Sequence, residues 1–393
     1  MIELNRRLFL KSAALIGCSA AAHPLMTSMT FASVPSDNRL VVIILRGAMD
    51  GLDAIQPYGD PMLAKLRQNI SVGPDRGALD LDGFYALHPS LAPLLPLWQK
   101  GELAFAHAVS TPYRDKRSHF DGQDLLEAGT GHDLPVNWQV GGWLNRLLQA
   151  MPGSKAETAY AVGLEQMKIL SGEAAHLGWA PQSSLNFSAQ AQLLLEHIYH
   201  DDPLFRDTAR DAFRISSETE RTDVGKGADA EAVALGRFAA DRLNAEARIA
   251  AFSITGWDSH ANQGAVIGRA LERLSGAILA LREGLGENWG RTTVLAMTEF
   301  GRTVRENGSS GTDHGTGGAL IMSGGAIRGG RAYGDWPGLG EGQLYADRDL
   351  MPTRDIRAYA GWAMRGLFGT ELAAIEQSVF PGLDLGGDPK ILA

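Results

Sequence analysis

The chain has one cysteine, Cys18, in 393 residues. A lone thiol excludes an internal disulfide and a thiolate metal site in the remainder of the chain. Blocks of lysine and arginine are missing from the body of the chain, and the formal net charge is -9, which argues against nucleic acid as a partner. A negative total leaves anionic substrates open, because a bound metal ion can dominate the local field. Apolar runs long enough for a permanent span are also missing: the stretch over residues 12–22 is too short. No internal repeat and no low-complexity linker is present. What remains is an ordinary globular mix, 45% hydrophobic and 21% charged, with 47 glycines, enough for one large domain with a sizeable core.

The N-terminus reads as an address. Asn5-Arg6-Arg7-Leu8-Phe9-Leu10-Lys11 resembles the twin-arginine export signal and is followed by the short apolar stretch of a signal peptide. Residues 1–32 are therefore assigned to a signal segment, with cleavage regions at Ala20-Ala21-Ala22 and near Ala32-Ser33. The resemblance implies use of the twin-arginine export machinery and a periplasmic or otherwise exported location. Leu15-Ile16-Gly17-Cys18 also has the order of a lipobox, so a lipid anchor at Cys18 is the alternative.

The mature part, residues 38–393, alternates apolar runs with helical patterns. Residues 39–46 are a continuous β-branched run, the signature of a strand buried on both faces. Further strands are predicted over residues 103–109, 159–163, 248–255, 292–298 and 319–323. Helices are predicted from Ser118 to Glu127, ended by Gly129, and over residues 228–245, 264–285 and 354–368. Residues 182–225 are polar and helical in tendency. Strands alternating with long helices predict an α/β fold with a mostly parallel central sheet flanked by helices.

The chemistry-bearing residues cluster at strand ends. Asp50, Ser118, the pair Asp258 and His260, and Glu299 each follow an apolar run, while Asp313 and His314 precede one. In such sheets strand ends converge on one edge. Carboxylates and imidazoles gathered there form a hard-to-borderline site for a divalent ion, with Zn, Mn, Mg and Ca all open. Asp258 and His260 are two apart, which points them the same way on extended chain. Asp313 and His314 sit in a glycine loop, where backbone approaches a ligand closely. Ser118, opening a helix, is placed to attack or bind a phosphate-like group, and His119 beside it to relay a proton. Arg46, Arg114 and Arg117 are candidate anion clamps. Each has a plainer reading. Asp50 and Ser118 serve equally as helix caps, Glu299 as a partner for Arg302 or Arg305, and the Asp-His pairs as solvated turns.

Five ordered motifs then become specific: Leu45-Arg46-Gly47-Ala48-Met49-Asp50-Gly51, Arg117-Ser118-His119-Phe120-Asp121, Gly256-Trp257-Asp258-Ser259-His260, Thr298-Glu299-Phe300-Gly301-Arg302 and Gly311-Thr312-Asp313-His314-Gly315. They resemble the DUF1501 family of exported bacterial proteins over roughly residues 38–370, and that family resembles the alkaline-phosphatase/sulfatase superfamily. The resemblance implies an alkaline-phosphatase-like domain. In it Asp50 is a metal ligand and Ser118 the nucleophile, Asp258, His260 and His314 form one metal site, and Glu299 joins Asp50 and Ser118 at a second. Two departures stand out. Phe300 occupies a place where the superfamily carries a ligating His, and no sulfatase-type cysteine is present.

Taken together, the expected function is metal-dependent hydrolysis of phosphate or sulfate esters by an exported protein, with catalytic Ser118, His119 and Arg46. Metal ligands are drawn from Asp50, Asp258, His260, Glu299, Asp313 and His314. The alternative is a non-catalytic scaffold relative that binds a polysaccharide, an envelope component or a partner protein. Elemental analysis and aryl-phosphate turnover separate the two.

Overall fold

The computed structural model describes residues 29–32, 37–131, 141–151, 167–174, 177–179, 228–245 and 247–393. The expected strand over 159–163, the segment 182–225, Cys18 and the twin-arginine motif lie outside the described residues. Of the segment assigned to the signal, Met29–Ala32 pairs as a strand at one side of the main sheet.

The main sheet is built from nine strands, named in chain order. These are β1 (Met29–Ala32), β2 (Arg39–Arg46), β3 (Leu103–Ser110), β4 (Leu177–Trp179), β5 (Ile249–Thr255), β6 (Thr292–Thr298), β7 (Gly318–Ser323), β8 (Arg331–Tyr333) and β9 (Arg354–Asp355). Their spatial order is β8-β3-β7-β6-β2-β5-β1-β4, with β9 also on β3. The centre is parallel: β2 pairs with both β5 and β6 over seven residues each. β7 runs antiparallel to β6 and β3, and β1 antiparallel to β5 and β4. The sheet is therefore mixed, with all strands but β1 and β7 pointing one way.

Alternation along β2 shows why the run is continuously apolar. Val41, Ile43 and Leu45 enter one core, whereas Leu40, Val42 and Ile44 enter another on the opposite face. The first core is covered by α3 (Ala228–Asn244) and α4 (Gln263–Leu285), the second by α2 (Trp143–Ala150) and α5 (Ile356–Phe368). On α4 the buried residues Ile267, Ala270, Leu271, Leu274, Ala277, Ile278 and Leu281 recur at three- and four-residue spacing, which is the apolar stripe of a helix docked on a sheet. Each leucine and isoleucine among them contributes roughly 1.5–3 kcal/mol on burial.

Helix ends follow local chemistry. α1 (His119–Ala128) starts at Ser118, whose Oγ accepts from the Asp121 N–H, and stops at Gly129 with φ 67°. α5 begins two residues later than the pattern predicts, because Arg354 and Asp355 extend beside β3 and Asp355 then caps the helix. Among the described residues no helix is long and apolar enough to cross a membrane.

Candidate functional site

The parallel strands β2, β3, β5 and β6 deliver their carboxyl ends to one sheet edge, and there they are followed by residues 47–50, 111–119, 256–260 and 299–302. β7 runs the other way, so its amino end reaches that edge and the loop with Asp313 and His314 precedes it. The antiparallel placement explains why this one motif lies before its strand. The loops are then locked together. Arg302 and His314 form an antiparallel bridge, and the Thr312 N–H donates to Ser259 O at 3.1 Å.

The glycines serve this locking. A Cβ on Gly311 would collide with the His260 backbone, one on Gly315 with the Arg302 backbone, and one on Gly301 with Gly317. The glycine loop brings site loops close to one another. Ala48, Arg117, Asn262 and Ser310, one in each of four site loops, hold positive φ of 58°, 55°, 48° and 52°. Such conformations cost of order 1–3 kcal/mol each and persist where surrounding contacts over-determine them.

Three histidines meet here, and each has one ring nitrogen fixed by an oxygen. His119 Nδ1 lies 2.8 Å from Glu299 Oε1, His260 Nδ1 3.1 Å from Asp313 Oδ1, and His314 Nδ1 2.9 Å from Arg117 O. Carboxylates and a carbonyl only accept, so all three Nδ1 atoms carry a proton, which leaves Nε2 as the atom each ring can offer to a metal once it is unprotonated. The Nε2 atoms converge on Asp258. Those of His260 and His314 are 3.1 and 3.4 Å from Oδ1, and that of His119 is 3.5 Å from Oδ2. His260 and His314 face each other Nε2 to Nε2 at 2.9 Å. His119, Asp258 and His314 offer ligand atoms within 4.8 Å of one another, with His260 at the edge of this compact set.

Electrostatics follow the geometry. Burial opposes charge on His119, but the Asp258 and Glu299 carboxylates outweigh it and push its pKa up to about 9. Partial burial likewise opposes ionisation of Asp258, yet His119, His314 and Arg302 hold its carboxyl well below the usual range. Glu299 is fully buried and still shifted down, because His119, Gln123 and the Gly47 N–H donate to it. Asp313 is lowered as well, burial being outweighed by Asn307 and His260.

Glu299 and Asp313, expected as metal ligands, touch the far nitrogens of His119 and His260. They hold the two rings and do not join the converging atoms. Asp50 is not brought to the cluster. Its Oδ1 accepts from the Leu52 and Asp53 N–H groups. Its Oδ2 is 2.9 Å from Arg67 Nη1, 2.8 Å from Gln263 Nε2 and 3.1 Å from Thr312 Oγ1. Every lone pair is engaged in a buried network, so the helix-cap reading describes this residue. Arg46 is also drawn away, pairing with Glu127 at 2.6 Å and donating to Gln123 at 3.0 Å. Ser118 Oγ is engaged as the cap of α1 at 3.4 Å. Arg114 donates to the Thr111 and Tyr113 carbonyls, and Arg117 contributes its own carbonyl to His314.

Further residues complete the site. Arg302 is fully buried, donates to the carbonyls of Gly47, Ala48, Trp257 and Thr312, and pairs with Asp258 at 2.6 Å. Phe300, unable to ligate, stacks on His119 with centroids 5.2 Å apart. Gln123, Asn307, Gln263 and Arg67 were not among the sequence candidates, and only the tertiary contacts reveal them.

No curated protein matches the chain. Residues 99–361, roughly two thirds of the sequence and including every member of the cluster, match one family. On that match the chain belongs to the family described as Protein of unknown function (DUF1501).

Proposed function

We propose that the protein holds one divalent transition-metal ion at His119, Asp258 and His314, with His260 alongside, and uses it to hydrolyse a phosphate or sulfate ester. The observation that carries this reading is the pinning of all three Nδ1 atoms while the Nε2 atoms crowd one carboxylate. Nε2 atoms and carboxylate oxygens gathered at 2.9–3.5 Å require protons or a metal cation among them. Metal-ligating histidines characteristically give their other N–H to a carboxylate or carbonyl, as all three do here. His119 Nε2 is, in addition, buried, with Asp258 Oδ2 at 3.5 Å as a long partner. These residues fit an ion, and an imidazole-rich set selects Zn over Mn, Mg and Ca. The engagement of Asp50 by Arg67 implies a single ion.

When bound, such an ion polarises an ester oxygen and lowers the pKa of an attacking hydroxyl. The chain's own contributions are positional. Glu299 and Phe300 hold the His119 ring, Asp313 holds His260, and Arg302 fixes Asp258 while bracing the loops around it. Ser118, at the amino end of α1, remains the candidate nucleophile beside His119, and the partial positive charge of that helix end favours an anionic substrate. The scaffold reading extends to an alkaline-phosphatase-like domain exported by the twin-arginine route, periplasmic in location, with an anionic ester as the substrate.

The test is elemental analysis of the protein exported from its native host, with turnover of aryl phosphate and aryl sulfate measured before and after chelation. One ion per chain and chelator-sensitive turnover are expected. Metal-free protein that takes up neither Zn nor Mn refutes the reading. The saturation of Asp50 favours a second reading, a one-ion scaffold that binds a polysaccharide, envelope component or partner protein. A tight ion with no turnover of either ester class supports it.

A further inference from the structure

Beneath the histidine cluster lies a second layer of polar groups. Gln263, the first residue of α4, is fully buried. Its Nε2 donates to Asp50 Oδ2 and Asp53 Oδ2, both at 2.8 Å. Its Oε1 accepts from Ser259 Oγ at 3.1 Å and from Thr312 Oγ1 at 2.6 Å. Two donors and two lone pairs are all the amide has, and all four are used. The orientation is forced, because the opposite one would set the amide oxygen against two carboxylates.

The two hydroxyls matter for where they sit. Ser259 lies between Asp258 and His260, and Thr312 lies two residues before His314. One amide therefore fastens two of the three loops that carry the cluster to the Asp50 turn at the end of β2. Arg67, fully buried, completes the base by pairing with Asp50 and donating to the Thr303 and Val304 carbonyls, both at 2.9 Å.

Resting on the metal reading above, we infer that Gln263 is a positioning residue for the ion, acting through the Ser259 and Thr312 hydroxyls to set the spacing of Asp258, His260 and His314. It touches none of the ligand atoms. Groups that orient ligands in this way change metal affinity by about 10–100-fold when lost.

Thr312 gives the sharpest test because packing and hydrogen bonding can be separated there. Thr312→Val keeps the volume and removes the hydroxyl; Thr312→Ser keeps the hydroxyl and removes a methyl. Cobalt(II) titration of the full chain, read by d–d absorption and calorimetry, gives affinity and coordination geometry without relying on turnover. Thr312→Val is expected to weaken cobalt about 10–100-fold and to shift the absorption bands, with Thr312→Ser within about twofold of wild type. Equal effects, or a larger effect for Thr312→Ser, overturn the positioning role and leave the metal site standing. Wild-type protein that binds no cobalt overturns both. Ser259→Ala removes the longer hydroxyl link and serves if Thr312→Val does not fold. It is expected to weaken cobalt about tenfold, and unchanged affinity again overturns the inference.

Discussion

His119 offers the most quantitative test of the site. Without a metal its ring is an imidazolium held between Glu299 and Asp258, with a pKa of about 9 against an ordinary 6.5. At pH 7 it is about 99% protonated. An ion ligated by Nε2 must displace that proton, so uptake at pH 7 is expected to release about one proton from this residue. Apparent affinity should rise about tenfold per pH unit until pH 9 and flatten above it. Between pH 6.5 and the plateau this amounts to about 300-fold, against about twofold for an unperturbed histidine. Calorimetry of zinc binding in buffers of different ionisation enthalpy counts the protons directly. Glu299→Gln removes a charge that raises the His119 pKa, so its affinity should flatten at lower pH. Zinc binding to the wild type with no proton release at pH 7 would refute the assignment of His119 as a ligand.

Other expectations concern the fold around the site. His107 is buried against Tyr85, Phe105 and Trp336, and burial, only partly countered by the Ile55 carbonyl, lowers its pKa to about 4. The native state then binds fewer protons than the unfolded state between pH 6.5 and 4, so stability is complete above 6.5 and lost as pH falls through that window. The loss amounts to about 3 kcal/mol. Urea midpoints from pH 8 to 4 should fall more steeply for wild type than for His107→Gln, and parallel slopes would contradict this. Asp50→Asn should destabilise the fold by leaving Arg67 without its counter-charge, by about 3–5 kcal/mol, while folded protein keeps its ion. Loss of the ion from folded Asp50→Asn, measured by elemental analysis, would return Asp50 to the ligand set. Gly301→Ala should abolish the native near-ultraviolet circular dichroism, since a Cβ there overlaps the Gly317 carbonyl. A native spectrum would show that the two loops separate without cost.

Periodicity carried most of the fold in the sequence. A run such as Leu40 to Leu45 can be uniformly apolar only if both faces are covered, and α4 shows its buried stripe by spacing alone. The cap at Ser118 and the glycine at 129 marked the ends of α1 because they are local hydrogen-bonding events, whereas the Asp355 cap of α5 went unread. Strand direction was not legible: residues 318–323 have the same composition whichever way they run, and only pairing with β6 and β3 turned them. The same limit governed the site. Residue types at strand ends identified Asp258, His260 and His314 as candidates, since an edge where strands terminate is where side chains meet.

Which atoms face one another was decided in three dimensions. Glu299 and Asp313 were indistinguishable by type from ligands, yet each is placed against the far nitrogen of a histidine. Asp50 was expected at a metal, but Arg67, distant in contacts and silent in pattern, neutralises it. A sequence determines the groups that are available and the local geometry they prefer. Which carboxylate lies among the histidines and which among Arg67 and Gln263 depends on long-range distances of a few ångströms, which only the packed loops define.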